Sequence, residues 1–150
     1  MAGLMVAAST EGEVALSAAA TKTVLQVVAP TNHRLNLNSF VVGFDGVSQT
    51  QEPIQVEILR QTTAGTMTAV TPKVMSAGSE TPLSTAQKTA TAEPTAGDIL
   101  KRYEVHPQGG LERIFKKGEI DIPGGTRLGL RVITPSGVNP NVVAEFNYEE

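Results

Sequence analysis

"EIDIPGGTRLGLRVI", residues 119–133, decides how this chain is read. Ile120 and Ile122 alternate with Glu119 and Asp121. After Pro123-Gly124-Gly125, Leu128, Leu130 and Val132 alternate with Arg127, Gly129 and Arg131. A period of two places successive side chains on opposite faces of a strand, and glycine supplies the backbone freedom of a turn. The stretch predicts two strands joined by a turn. Leu128, Leu130 and Val132 then belong to a core, while Arg127 and Arg131 face solvent or a partner.

The same period recurs along the chain. "TKTVLQVVAP" (21–30) is a β-branched run closed by Pro30, and "PIQVEILRQ" (53–61) alternates Ile54, Val56 and Ile58 with Gln55, Glu57 and Leu59. In "HRLNLNSFVVGFDG" (33–46) the apolar positions step from Leu35 and Leu37 to Phe40, Val42 and Phe44, which requires a bulge near Asn38-Ser39. Residues 13–17 alternate weakly; 99–106 and 111–117 read as short strands, and in 141–150 Val142, Ala144, Phe146 and Tyr148 share a face. Turn signals at Asp45-Gly46, Gly109-Gly110, Gly124-Gly125 and Ser136-Gly137 separate these runs, and no segment keeps a helical period. The fold class expected is all-β, a jelly-roll-like β-sandwich of about eight antiparallel strands, with an immunoglobulin-like sandwich as second choice.

At 150 residues the chain suits one domain, 11–150, with residues 1–10 as an extended N-terminal arm. The arm, "MAGLMVAAST", is apolar without a patterned strand, so it is expected either to lie on a neighbouring surface or to be disordered. Residues 62–97 form a Thr/Ala/Ser/Pro-rich insert that is too long for a structureless loop; strands near Thr66–Val70 and Lys88–Ala92 would bring it into a sheet.

The formal net charge of −3 speaks against nucleic acid as a partner. Lys101-Arg102 and the group Arg113, Lys116 and Lys117 read as solvated strand faces. Cysteine is absent, so no disulfide or thiolate chemistry is available. No apolar run reaches the roughly 18 residues of a membrane helix. His33 and His106, the only histidines, lack ligand-spaced companions; no G-x-S-x-G or phosphate-cradling glycine frame occurs. Glu119 and Asp121 point the same way along one strand, yet nothing marks a pocket for a carboxylate dyad. A sugar-binding sandwich module would want exposed aromatic platforms; this chain has no Trp, and only Tyr103 and Tyr148 are free of an obvious core role. No cofactor, metal or small-molecule substrate is expected, and no catalytic residue can be named.

"TATAEPTAGDIL", "YEVHPQGGLERIFKKGEIDIPGGTRLGLRVITP" and the ending "NVVAEFNYEE" together resemble the small β-jelly-roll structural proteins of tailed bacteriophages. Within them the similarity is nearest to the capsid decoration (auxiliary, or cement) proteins of long-tailed phages that infect thermophilic bacteria. It runs from about Thr21 onward and is most specific in the C-terminal half. The resemblance implies a non-enzymatic virion protein, made in the host bacterial cytoplasm, that forms homotrimers on the capsid surface and clamps major capsid subunits. The candidate capsid or subunit contacts are Leu4, Met5 and Val6 of the arm together with Arg127 and Arg131. A tail or baseplate component and a carbohydrate-binding module are the alternatives.

Overall fold

A computed structural model describes residues 3–45 and 52–150. The strands are β1 (Met5–Ser9), β2 (Val14–Ala15), β3 (Thr21–Val28), β4 (Leu35–Asp45), β5 (Ile54–Gln61), β6 (Thr66–Val70), β7 (Lys73–Val74), β8 (Thr85–Ala92), β9 (Ala96–Val105), β10 (Gly110–Ile114), β11 (Asp121–Ile122), β12 (Arg127–Ile133) and β13 (Asn141–Glu149). No helix occurs among the described residues. Two antiparallel sheets form a sandwich. Sheet A has the order β10-β4-β13-β1-β7, with β11 also on β4 and β2 also on β13. Sheet B has the order β6-β8-β3-β12-β5-β9.

The pairing has a simple rule. The broken strand β1/β2 pairs with β13, β3 with β12, β4 with the broken strand β10/β11, and β5 with β9. The chain therefore makes a ribbon that doubles back between β5 and β9. The ribbon then rolls so that β4 meets β13 and β5 meets β12. Sheet A contributes Val6, Leu35, Leu37, Phe40, Val142, Phe146 and Tyr148 to the core, and sheet B contributes Leu25, Val27, Ile54, Val56, Ile58, Leu128, Leu130 and Val132. All of these are 0% exposed. Each such side chain stabilises the fold by roughly 1.5–3 kcal/mol relative to exposure. The expected bulge in β4 is present: Asn147 lies opposite Ser39 but Tyr148 lies opposite Leu37, which leaves Asn38 as the extra residue.

Residues 119–133 do not form a hairpin. β11 lies on β4 in sheet A, whereas β12 lies between β3 and β5 in sheet B. Pro123-Gly124-Gly125 is a corner that carries the chain from one sheet to the other. Gly125 takes φ 76°, and its N–H is shared between the carbonyls of Ala29 and Pro30 at 3.2 and 3.1 Å. A Cβ on Gly124 would collide with the Thr31 carbonyl, so the corner can seat against the end of β3 only without one. Period-two alternation fixes the faces of a strand but not its partner. Leu128, Leu130 and Val132 do sit in the core.

The separate N-terminal arm is also corrected. Met5–Ser9 is β1, paired along its whole length with Glu145–Glu149 and partly with β7. Val6 is fully buried, and Leu4 packs against the core. The chain ends meet, with Leu4 N–H donating to Glu150 O and Glu150 N–H to Leu4 O, both at 2.9 Å. Two Ala and a Ser give β1 little hydrophobic signal, and its main partner lies at the other end of the sequence. The weak 13–17 run is ordered as strand only at Val14–Ala15.

In the 62–97 insert, β6 and β8 extend sheet B and β7 crosses to sheet A, as strands near 66–70 and 88–92 required. The expected turn at Asp45-Gly46 runs into residues outside those described.

Candidate functional site

Among the described residues no three His, Cys, Asp or Glu side chains gather as metal ligands. His33 and His106 are both exposed. Glu119 and Asp121 do not face each other across a cleft. Glu119 pairs with Lys101 at 2.9 Å, while Asp121 pairs with Arg34 at 3.2 Å and Arg60 at 3.6 Å. A groove of about 450 Å³ between the β6–β7 corner and the start of β8 is lined by Val70, Pro72, Pro82, Ser84, Thr85 and Gln87 among others, with no titratable side chain. A second, of about 410 Å³ beside Gly3, Leu4 and Met5, has only Glu80. The aromatic rings are all drawn inward. Tyr148, Phe40 and Phe146 are buried, and Tyr103 packs on Phe40 with centroids 5.5 Å apart.

The two outer faces of the sandwich differ. On sheet B the positions opposite the core are also buried: Thr23, Gln26, Glu57 and Leu59 are 0% exposed. The insert reaches over Thr23 and Gln26, through Glu93 and the Thr63 carbonyl. Thr62 N–H donates to Thr95 O at 3.0 Å, and Thr95 N–H to Thr63 Oγ1 at 2.8 Å, which zips 62–65 to 92–96. Under this cover a polar chain runs across the strands. Gln26 Nε2 donates to Gln61 Oε1 at 2.7 Å, Gln61 Nε2 to Thr23 Oγ1 at 2.9 Å, and Thr23 Oγ1 to Glu93 Oε2 at 2.7 Å. A Cβ on Gly129 would overlap the Gln61 carboxamide, which explains glycine in the middle of β12. Beside the chain, Glu57 is clamped by two arginines. Arg131 Nε and Nη2 reach Oε2 at 2.8 and 2.6 Å, and Arg102 Nε and Nη2 reach Oε1 at 2.9 and 2.6 Å. A buried carboxylate needs such partners.

Among the described residues sheet A has no such cover. Its outer face shows Val41 at 38% exposure, Val143 at 45% and Ile114 at 69%. The register places Glu112 of β10 and Glu145 of β13 on either side of Val41. Ser39, Gly43, Ala7 and Ser9 fill neighbouring positions with small side chains, and Met5, Lys73 and Ile114 stand farther out on the same face.

These positions test the sequence candidates. Met5 is on the open face of sheet A, Val6 is in the core, and Leu4 is partly buried at the chain-end junction. Arg131 is on the covered face of sheet B, its guanidinium committed to Glu57 and its side chain only 17% exposed. Its expected role toward solvent or another molecule is therefore replaced by an intrachain one. Arg127, partly exposed, sits on the same face beside Gln61 and Val28. Reading from sequence missed Glu57, Glu112, Glu145, Val41 and Val143. One signal was available: once the bulge at Asn38 is placed, Val41 falls on the outward register among inward Phe40 and Val42.

Two groups at the chain's end make stability depend on pH. Lys117 and the Gly3 N–H hold the Glu149 carboxyl below its ordinary value of 4.5. That contribution is present above pH 4.5 and is lost as pH falls through the lowered folded value. Burial pushes the Tyr148 phenol up to about 12 from 10.0, against the opposing Ser84 hydrogen bond. The neutral phenol's contribution is complete below pH 10 and lost as pH rises toward 12. Thermal melts of Glu149→Gln should therefore converge with wild type in acid, and wild type should lose stability relative to Tyr148→Phe as pH rises above 10. Parallel curves at every pH would contradict both assignments.

No protein-family model, curated protein or solved structure matches this chain.

Proposed function

We propose that the chain is a non-enzymatic structural protein of a phage virion. In this reading it is a trimeric decoration protein that binds the outer surface of the capsid and stabilises contacts between major capsid subunits. The observation that carries the reading is the asymmetry of the sandwich. One outer face is partly covered by the chain's own insert, while the other exposes Val41, Val143 and Ile114 among several small residues, as a surface that works by contact requires. The fold supports it too. Counting β1/β2 and β10/β11 as one broken strand each and leaving aside β6, β7 and β8 of the insert, the first strand pairs with the last, the second with the seventh, the third with the sixth and the fourth with the fifth, a rolled ribbon that we read as a jelly roll. The resemblance of residues 89–100, 103–135 and 141–150 to phage decoration proteins supplies the class of partner.

The mechanism is linkage. A protein that binds the assembled, expanded shell better than free subunits shifts the balance toward the shell in proportion to its bound fraction. A trimer applies this at three positions at once, so weak single contacts add through effective concentration. The test joins two measurements, sedimentation equilibrium of the free protein and co-sedimentation with expanded empty heads. The expected results are a mass of three chains and saturable attachment. A monomer at tens of micromolar (an order-of-magnitude choice, about tenfold above a micromolar Kd) that does not pellet with heads would sink the reading.

A further inference from the structure

We infer that the outer face of sheet A, centred on Val41, is the surface that meets the shell, and that its occupant is a protein surface presenting basic side chains beside a small apolar patch. This rests on the decoration-protein reading and assigns the site within it. Three features point the same way. First, this is the outer face that the described residues leave open, with Val41, Val143 and Ile114 exposed. Second, Glu112 and Glu145 flank Val41 in one cross-strand row, and neither is in an ion pair among the described residues. With strands about 4.8 Å apart, the two carboxylates bracket the valine at roughly 10 Å. An arginine or lysine whose aliphatic stem lies on Val41 can reach a carboxylate on either side.

Third, the same charges disfavour a second copy as occupant. Stacking two of these faces about a two-fold axis would bring the Glu112 and Glu145 carboxylates of both copies together around their valines. Like charges opposed at a contact penalise it. The Val41 row therefore favours a basic partner over its own acidic copy; Lys73, opposite Ala7, and Lys117, paired with Glu149, lie away from that row. Glu145 is also pre-oriented, since Asn147 Nδ2 donates to its Oε1 at 2.9 Å.

The experiment compares wild type with the Glu112→Lys/Glu145→Lys double variant on expanded empty heads, with native mass and thermal melting measured in parallel. The double variant should keep the wild-type mass and fold but bind heads at least about tenfold more weakly. Wild-type binding should also weaken as salt rises. Should the reversed charges disturb folding, Glu112→Gln/Glu145→Gln removes the carboxylates without adding cations and should still weaken binding. Wild type that binds heads while both double variants bind equally well overturns the face assignment and leaves the decoration reading intact. Wild type that does not bind heads overturns both. A change in native mass would make the face a contact between copies, which also contradicts the inference.

Discussion

Removing residues 1–9 is expected to unfold the chain or leave it barely stable. β1 lies inside sheet A, hydrogen-bonded to β13 on one side and β7 on the other. Its loss takes Val6 and Ala8 out of the core and opens β13, the strand that carries Phe146 and Tyr148, along one edge. The lost Val6 burial is worth roughly 1.5–3 kcal/mol, and each lost backbone hydrogen bond a further 0.5–1.5 kcal/mol or so. The sum, about 5 kcal/mol or more, rivals the whole stability of an ordinary domain. Tm should fall by more than about 10 °C. A truncated protein with an unchanged melting curve would mean that β1 is not held as described.

The second large effect lies at adjacent residues of β12. Leu130→Ala should cost about 2–5 kcal/mol, through lost transfer energy and an unfilled cavity between the sheets; Leu130 is fully buried, opposite Leu25 and Ile58. Arg131→Ala should not behave as an ordinary surface substitution, which typically changes stability by only about 0.5 kcal/mol. It strips one of two guanidiniums from a carboxylate with no solvent access, and a hydrogen bond to a charged group contributes about 1.5–3 kcal/mol. Arg102 remains to hold Glu57, which keeps the loss below that of Leu130→Ala. Denaturant unfolding of both variants settles the order. Arg131→Ala indistinguishable from wild type would show that Glu57 is solvated or that Arg102 alone suffices.

What could be read from sequence follows from how far each signal travels along the chain. β3, β5 and β13 are legible because their alternation is local, and even the β4 bulge shows as a slip in phase between Leu37 and Phe40. The two strands and the turn expected in residues 119–133 are present, but alternation gives faces and not neighbours, so it does not show that they lie in different sheets. Only the seat of Gly124 and Gly125 against Ala29, Pro30 and Thr31 reveals a corner between sheets. β1 is hidden by its small residues and by a partner at the far end of the chain. Glu57 looks like an outward strand residue because its cover is folded from elsewhere. Arg102 lies 45 positions away and Arg131 lies 74 positions away. The open face was partly legible, since Val41 and Val143 stand at outward positions where a solvated strand would carry polar groups.

The claim at the centre of this account is that binding energy at an open sheet face is converted into stability of a shell. Its most direct test is the thermal disruption of expanded empty heads, followed by calorimetry or light scattering, with and without saturating protein. The account predicts a higher disruption temperature that rises with protein concentration until the sites fill, as mass action requires. Heads that bind the protein to saturation and still come apart at the same temperature would contradict it.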